Sequence, residues 1–188
     1  MRCLERMIRR AELSVAHSQG FNPRPKVVFT LALALGIEGR REVVEIDLNE
    51  PMEPGEVRSR LADVSPPGLD WLEAEAVTPG RPAHAQAVGY QMDVPADRQD
   101  AASAALVCFL ASETWPFTRR RPDRDVTIDL RPFLLDAEID AGAGVLRFRL
   151  KVSDSGSARP EEIVEALKLR DLMRQGAILV RSEMELVS

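Results

Sequence analysis

The order of strand-like and helix-like segments is the feature that most limits how this chain can fold. From residue 87 onward, period-two and helical patterns predict a strand at 87–94, an Ala-rich helix at 97–112, an extended segment at 125–139 that Pro132 interrupts, a strand at 144–152, a helix at 160–169 and a strand at 177–187. This β-α-β-β-α-β order is that of a ferredoxin-like unit.

The first half of the sequence shows the same order with its opening strand missing. Spacing of i, i+3, i+4 and i+7 predicts an amphipathic helix whose apolar face is Leu4, Met7, Ile8 and Ala11. Residues 26–35 and 42–48 predict a hairpin, 54–63 a helix and 69–77 a further strand.

We therefore predict an α+β protein built from two tandem ferredoxin-like units, the first lacking its opening strand. The first unit is expected at residues 1–78, a Pro- and Gly-containing linker at 79–86, and the second unit at 87–188. The alternative is a single α+β sheet with helices on one face.

Composition favours a folded protein without membrane segments. Hydrophobic residues make up 45% of the 188 and charged residues 29%, which is typical of a globular domain. The net charge of -5 argues against nucleic-acid binding over the whole surface but leaves a local basic stripe open. No apolar run approaches the ~20 residues that span a bilayer, and the start has no signal-peptide pattern, so a cytoplasmic location is expected. Cys108 lies in a helical pattern and is expected in the core.

Motifs for catalysis and cofactor binding are missing from the sequence. It has no phosphate-binding loop, no dinucleotide fingerprint and no Cys-x3-Cys-x2-Cys run, and its two histidines, His17 and His84, have no partner at metal-ligand spacing. We therefore predict no catalytic residues, no metal ligands and no cofactor in this chain. The purified protein should contain no iron, sulfide or zinc.

Residues 18–25, Ser-Gln-Gly-Phe-Asn-Pro-Arg-Pro, form the first segment with a possible binding role. Two prolines and Gly20 predict a rigid loop. It either simply connects a helix to a strand or presents Gln19, Phe21, Asn22 and Arg24 to a partner or ligand.

The second such segment is Asp-Leu-Arg-Pro at 129–132. It either is a strand broken by Pro132, with Asp129 and Arg131 as a charge pair on one side, or belongs to a binding site.

The third segment is the strand at 147–152. Period two places Arg147, Arg149 and Lys151 on one face. This face either is balanced by acids of the next strand or binds phosphates, and four arginines could extend it: Arg119, Arg120, Arg121 and Arg124.

The 18–25 loop, followed by a strand that ends in Leu-Gly-Ile-Glu at 35–38, resembles the radical-SAM-associated family of domains of unknown function. Residues 129–132 and Gly-Ser-Ala-Arg-Pro-Glu-Glu at 156–162 also resemble that family's motifs. The resemblance covers essentially the whole chain. It implies a protein encoded beside, or fused to, a radical S-adenosylmethionine enzyme, with neighbouring genes for RNA processing and ribosomal proteins. Similar proteins begin with an extra strand and a Ser-His-Leu-Asp-like stretch, so we expect a misassigned start or a truncation here.

Three functional hypotheses follow. The chain is an accessory, substrate-binding partner of a radical S-adenosylmethionine enzyme in RNA modification or processing; or a stand-alone RNA-binding protein; or a small-molecule enzyme with a site between the halves, around Asn22 and Asp129. The residues expected to bind a partner or substrate are Ser18, Gln19, Gly20, Phe21, Asn22, Arg24, Asp129, Arg131 and Arg159. Those expected to bind nucleic acid are Arg147, Arg149 and Lys151.

Overall fold

A computed structural model describes residues 2–78, 80, 82–153 and 156–187. Its helices are α1 (Arg2–Arg10), α2 (Pro54–Asp63), α3 (Ala96–Ala111), α4 (Pro160–Ala166) and α5 (Arg170–Arg174). Its strands are β1 (Val27–Phe29), β2 (Ile37–Gly39), β3 (Val44–Ile46), β4 (His84–Asp93), β5 (Pro116–Arg119), β6 (Val126–Asp129), β7 (Leu134–Asp140), β8 (Val145–Lys151) and β9 (Leu179–Val187).

The chain divides into two compact units. Among the described residues, the first unit contains those up to 30 and those of 44–82, and the second contains 31–43 and 83–187. Residues 31–43 thus leave the first unit and join the second. The predicted linker 79–86 includes Pro79 and Arg81, which lie outside the described residues, and β4 already begins at His84.

The first unit is built on the amphipathic helix predicted from the sequence. Leu4, Ile8 and Ala11 of that helix and its C-terminal turn are buried in one cluster with Val27 of β1 and Leu61 of α2. β1 pairs antiparallel with β3, so the two chain segments predicted as a hairpin do pair, over three residues each. The strand predicted at 69–77 is wrong, because these residues form no strand.

The second unit contains a five-stranded sheet in the order β2-β9-β4-β8-β7. β9, β4, β8 and β7 are each antiparallel to their neighbours, whereas β2 adds to the edge of β9 in parallel. β4 and β7 consequently run in the same direction with β8 between them, which is the split arrangement that the β-α-β-β-α-β order allows. The α+β class is confirmed. A tandem of two ferredoxin-like units stays a prediction, because the described part of the first unit has a two-stranded sheet.

The core of the second unit lies between the sheet and α3, α4 and α5. Ala102, Leu106 and Phe109 form the buried stripe of α3. The core position expected for Cys108 is wrong: this residue precedes Phe109 in the helix and is exposed. The helix predicted at 160–169 is interrupted at Lys168, whose φ of 61° is incompatible with a continuing α-helix.

A two-stranded antiparallel ribbon, β5 with β6, is inserted between α3 and β7. We call residues 116–129 the β5–β6 hairpin. Phe117 and Ile128 pack against the core of the second unit, while Thr118 and Thr127 are exposed on the other side. The sequence predicted β6 as extended chain but not β5.

Candidate functional site

The 18–25 loop is closed at its base by backbone hydrogen bonds. His17 and Pro25 form an antiparallel bridge, and the Ser18 amide donates to the Arg24 carbonyl at 2.8 Å. The Arg24 amide in turn donates to the Ser18 hydroxyl at 3.0 Å. Ser18 therefore holds the base of the loop and is half-buried.

The tip of this loop is solvent-exposed. Phe21 is 103% exposed, and the other exposed loop residues are Gln19, Gly20, Asn22, Pro23 and Arg24. Gly20 has φ 155°, a backbone angle that glycine adopts without strain. The closed base and the two prolines limit the conformations of a tip whose side chains make no core contact, which is what a binding loop requires.

Asp129 holds backbone groups at the base of the β5–β6 hairpin. One of its carboxylate oxygens accepts the Trp115 amide at 2.6 Å and the Arg131 amide at 3.0 Å. The charge pair with Arg131 considered from the sequence is wrong, because the Arg131 guanidinium donates instead to the Leu134 carbonyl at 3.2 Å. Leu130, between them, is fully buried.

Arg159 is the N-cap residue of α4, and Glu162 in the first turn of this helix binds both Arg159 and Arg119. Glu162 is 5% exposed and accepts the Arg159 amide at 2.8 Å. Arg119 of β5 donates to both oxygens of Glu162, at 2.5 and 2.8 Å, and to the Ser157 carbonyl at 2.6 Å. The hydrogen bond with Glu162 raises the pKa of Arg119 in spite of its partial burial. The Arg159 guanidinium is not part of this network, and the residue is exposed.

The basic face of β8 is balanced by acids of β7, its neighbouring strand, and of β9, which lies beyond β4 in the sheet. Arg149 contacts Asp136 of β7 at 3.2 Å and Glu185 of β9 at 2.5 Å. Arg147 lies 3.4 Å from Glu138 and from Asp140, both on β7. Register accounts for this pairing, since Arg149 is opposite Asp136 and Arg147 is opposite Glu138. The sequence allowed two interpretations of this face, one balanced by acids and one that binds phosphates. The contacts of Arg147 and Arg149 are those expected for the balanced face.

Lys151 lies on the same face of β8 and is exposed. Its opposite residue in the pairing with β4 is Ala87, so register brings it no acid from that strand.

A family model described as "Uncharacterized protein conserved in bacteria (DUF2344)" matches residues 1–160. The chain belongs to the DUF2344 family. This match includes the 18–25 loop, the β5–β6 hairpin and β8, and it does not extend to a connection with a radical S-adenosylmethionine enzyme, which stays a prediction. No similar chain was found among curated proteins or among solved structures.

The segments singled out from the sequence fall into two places of this DUF2344 chain. The 18–25 loop belongs to the first unit. Asp129, Arg131 and Arg159 lie in the second unit at two different points of the β5–β6 hairpin: Asp129 and Arg131 at its base, and Arg159 at the other end, next to Glu162, the partner of Arg119. The segments 129–132 and 156–162, which are separate in the sequence, thus both contact the β5–β6 hairpin.

Reasoning from the sequence missed a buried polar cluster around Arg181 on β9. Arg181 is 2% exposed, pairs with both carboxylate oxygens of Glu42 and donates to the carbonyls of Leu31 and Ala32 at 3.0 and 3.1 Å. Tyr90 is adjacent; burial raises its pKa, and the charge of Arg181 opposes this effect. Arg181 shares the inward face of β9 with Leu179, so a charge at an inward strand position was the signal that a buried partner exists.

An open cleft of about 740 Å³ lies where β4 leads into α3. Among the described residues that line it, Asp93 is the only ionisable one, beside Gln99 and the 141–144 turn. A single carboxylate supplies no acid–base pair. Within the described ranges, His, Cys, Asp and Glu side chains form no group that could hold a metal ion.

The longest described helix, α3, has 16 residues, and none of the described helices is both long and apolar enough to cross a membrane.

Proposed function

We propose that this DUF2344 chain is an accessory protein that binds a substrate and a radical S-adenosylmethionine enzyme, so that the partner carries out the chemistry. The resemblance of residues 18–25, 129–132 and 156–162 to radical-SAM-associated proteins supplies the class of partner. The observation that carries the proposal is the full exposure of Phe21 at the tip of a loop that is closed at its base.

An exposed aromatic side chain contributes hydrophobic free energy only when a partner buries it. Burial of a phenylalanine side chain contributes about 1.5–3 kcal/mol, and none of this is realised within the chain, because Phe21 is 103% exposed. A partner that buried the ring would gain it at low entropic cost, since Ser18, Pro23 and Pro25 already restrict the loop.

The residues around Phe21 suit the rim of a protein interface. Gln19, Asn22 and Arg24 are exposed and polar, and they flank the single aromatic ring. Protein interfaces commonly have this composition, with an aromatic anchor at the centre and hydrogen-bonding groups at the edge.

The test is capture of the partner by variants of the tagged full chain. The radical S-adenosylmethionine enzyme that the resemblance predicts beside this gene is co-expressed, and its affinity for the parent, for Phe21→Ala and for the control Val107→Ala is measured by titration. Val107 is 67% exposed on α3 of the second unit, so its truncation removes a smaller exposed apolar surface away from the loop. We expect Phe21→Ala to weaken binding by about 30-fold, the effect of a 2 kcal/mol hot spot, and the control to leave binding unchanged.

Equal affinity of the parent and Phe21→Ala, or failure of the parent to bind the enzyme, would contradict the proposal. Because Phe21 makes no core contact, the variant should keep the parent's melting temperature, which separates a binding defect from a folding defect.

A further inference from the structure

Besides the hydrogen bonds between its two strands, the β5–β6 hairpin makes contacts that hold it at two points. At its base, Asp129 accepts the amides of Trp115 and Arg131. At the end of β5, Arg119 binds Glu162 of α4, and the side chains of this pair are 15% and 7% exposed. Burial of an ion pair is costly because both charges lose water, so such a pair contributes defined geometry more than stability. The contacts therefore fix the orientation of the hairpin against the core of the second unit.

The part of the hairpin that these anchors position is its connecting turn. The turn carries the exposed arginines Arg120, Arg121 and Arg124. Within the described part of the chain, their guanidinium groups make neither hydrogen bonds nor ion pairs. This distinguishes them from Arg147 and Arg149 of β8, which pair with acids of β7 and, for Arg149, also of β9. Two acids in the same turn, Asp123 and Asp125, leave it with one net positive charge.

Arg159 adds a fourth exposed cation next to the hairpin. Its amide and the Nη2 atom of Arg119 both lie 2.8 Å from the same oxygen of Glu162. The Arg159 amide is therefore near the guanidinium of Arg119, the last residue of β5, and the arginine turn follows directly after Arg119.

We propose that the turn of the β5–β6 hairpin, with Arg159 beside it, binds the sugar–phosphate backbone of a nucleic-acid strand. Guanidinium groups without carboxylate partners are the preferred protein ligands of phosphate, and most protein–nucleic acid hydrogen bonds go to the backbone. This inference deepens the proposed function by naming the class of substrate, and it rests on that function only in treating the nucleic acid as the substrate.

A nucleic acid fits this surface better than an acidic protein does. The apolar side chains of the hairpin, Phe117 and Ile128, pack against the core, and its outward side presents the hydroxyls of Thr118 and Thr127, 3.5 Å apart. A protein partner would find little apolar area to bury there, whereas hydroxyl and guanidinium groups are sufficient for backbone contacts.

The experiment measures binding of a fluorescent 20-nucleotide single strand, as RNA and as DNA of the same sequence, by anisotropy at several salt concentrations. The full chain is compared with a triple variant, Arg120→Ala, Arg121→Ala and Arg124→Ala. The control is Arg6→Ala, Arg9→Ala and Arg10→Ala, which removes three exposed charges from α1. A third variant, Arg147→Ala with Arg149→Ala, tests the β8 face.

The slope of the logarithm of the binding constant against the logarithm of salt concentration should become shallower in the hairpin variant by about 0.7 for each lost phosphate contact, which is about 2 in total. At 0.1 M monovalent salt this corresponds to about 100-fold weaker binding. The α1 and β8 variants should keep the parent's slope. The hairpin variant should also keep the parent's melting temperature, since the three replaced side chains make no hydrogen bond or ion pair with other described residues.

The inference is overturned if the parent binds neither strand at 0.05 M salt, if the hairpin variant keeps the parent's slope, or if the α1 control loses as much affinity. Displacement of the strand by poly-glutamate as effective as displacement by unlabelled strand would overturn the assignment to nucleic acid. Capture of the radical S-adenosylmethionine enzyme by the hairpin variant is measured in parallel. If capture is normal while strand binding is absent in every variant, only the substrate class is wrong; if capture fails in the parent while strand binding holds, the proposed partner is wrong.

Discussion

Replacement of Arg119 by methionine tests whether the buried pair with Glu162 holds the β5–β6 hairpin. Arg119→Met keeps much of the side-chain volume but removes the charge and three hydrogen bonds, two to Glu162 and one to the Ser157 carbonyl. Glu162, at 5% exposure, is then left as a buried carboxylate whose remaining partner is the Arg159 amide. Breaking a buried ion pair by removal of one partner costs roughly 3–5 kcal/mol. Because the Arg159 amide stays in place, we expect the lower end, about 3 kcal/mol.

Matched variants separate the free energy of the Arg119–Glu162 interaction from the contributions of the two individual side chains. Glu162→Gln keeps an acceptor for the Arg159 amide and leaves Arg119, at 15% side-chain exposure, without its carboxylate, so we expect a loss of about 2 kcal/mol. The double variant contains no unpaired charge and should also lose about 2–3 kcal/mol rather than the sum of about 5. The coupling free energy between the two positions is then about 2–3 kcal/mol.

The assay is urea unfolding followed by the fluorescence of Trp115 in a Trp71→Phe background. The sequence has two tryptophans, and only Trp115 lies in the second unit, at the base of the hairpin and 4.7 Å edge-on from Phe109. Because far-ultraviolet circular dichroism reports both units of the chain together, the unfolding free energy of the second unit is taken from the Trp115 fluorescence transition. Losses that add to within about 0.5 kcal/mol in the double variant would refute the reasoning, because they would mean that the two side chains act independently.

Two further predictions concern Tyr90 and Asp129. Tyr90 is the single tyrosine of the sequence, so phenolate absorbance should report its pKa alone, with a native midpoint above 10.0 that returns to about 10 in urea. Since the native pKa of this acid is raised, its stabilising contribution is complete below pH 10 and is lost as pH rises towards the native pKa, and Tyr90→Phe should lack this loss; a native midpoint at or below 10.0 would contradict the burial argument. Asp129→Ala should lower the unfolding free energy of the second unit by about 2 kcal/mol, because the amides of Trp115 and Arg131 lose their acceptor, whereas Asp129→Asn keeps an oxygen there and should cost less than about 1 kcal/mol. Equal losses in the two Asp129 variants would count against this capping role.

The local periodicity of the sequence was sufficient to predict most of the helices and strands. The apolar spacing of α1 and the alternation along β8 both led to the side chains that are buried, because these patterns express how a helix or a strand exposes its faces. Cys108 shows where this reasoning fails: in an Ala-rich helix the buried stripe is not marked by sequence contrast, and Ala102, Leu106 and Phe109 define it only once the helix packs.

Contacts that depend on register could not be inferred in the same way. Alternation predicted that Arg147 and Arg149 share a face, but which acids contact them follows from the pairing of β8 with β7 and from the position of β9 on the far side of β4. A shift by one residue would turn every side chain of a strand to the other face, so the neutralisation of these arginines is a property of the assembled sheet.

The 18–25 loop could be predicted from the sequence as an exposed, rigid segment, because prolines, glycine and polar residues act on their own backbone. The same holds for the α+β class and for the order of the second unit's elements other than β5 and α5. Only the tertiary structure decided that residues 31–43 join β9 through Arg181, that Asp129 and Glu162 both hold the β5–β6 hairpin, and that three arginines of its turn have no acidic partner among the residues that the structure describes. The physical reason is range: backbone preferences extend over a few residues, whereas a buried charge such as Arg181 takes its partner from 139 residues away, at Glu42, and that choice exists only when the chain is packed.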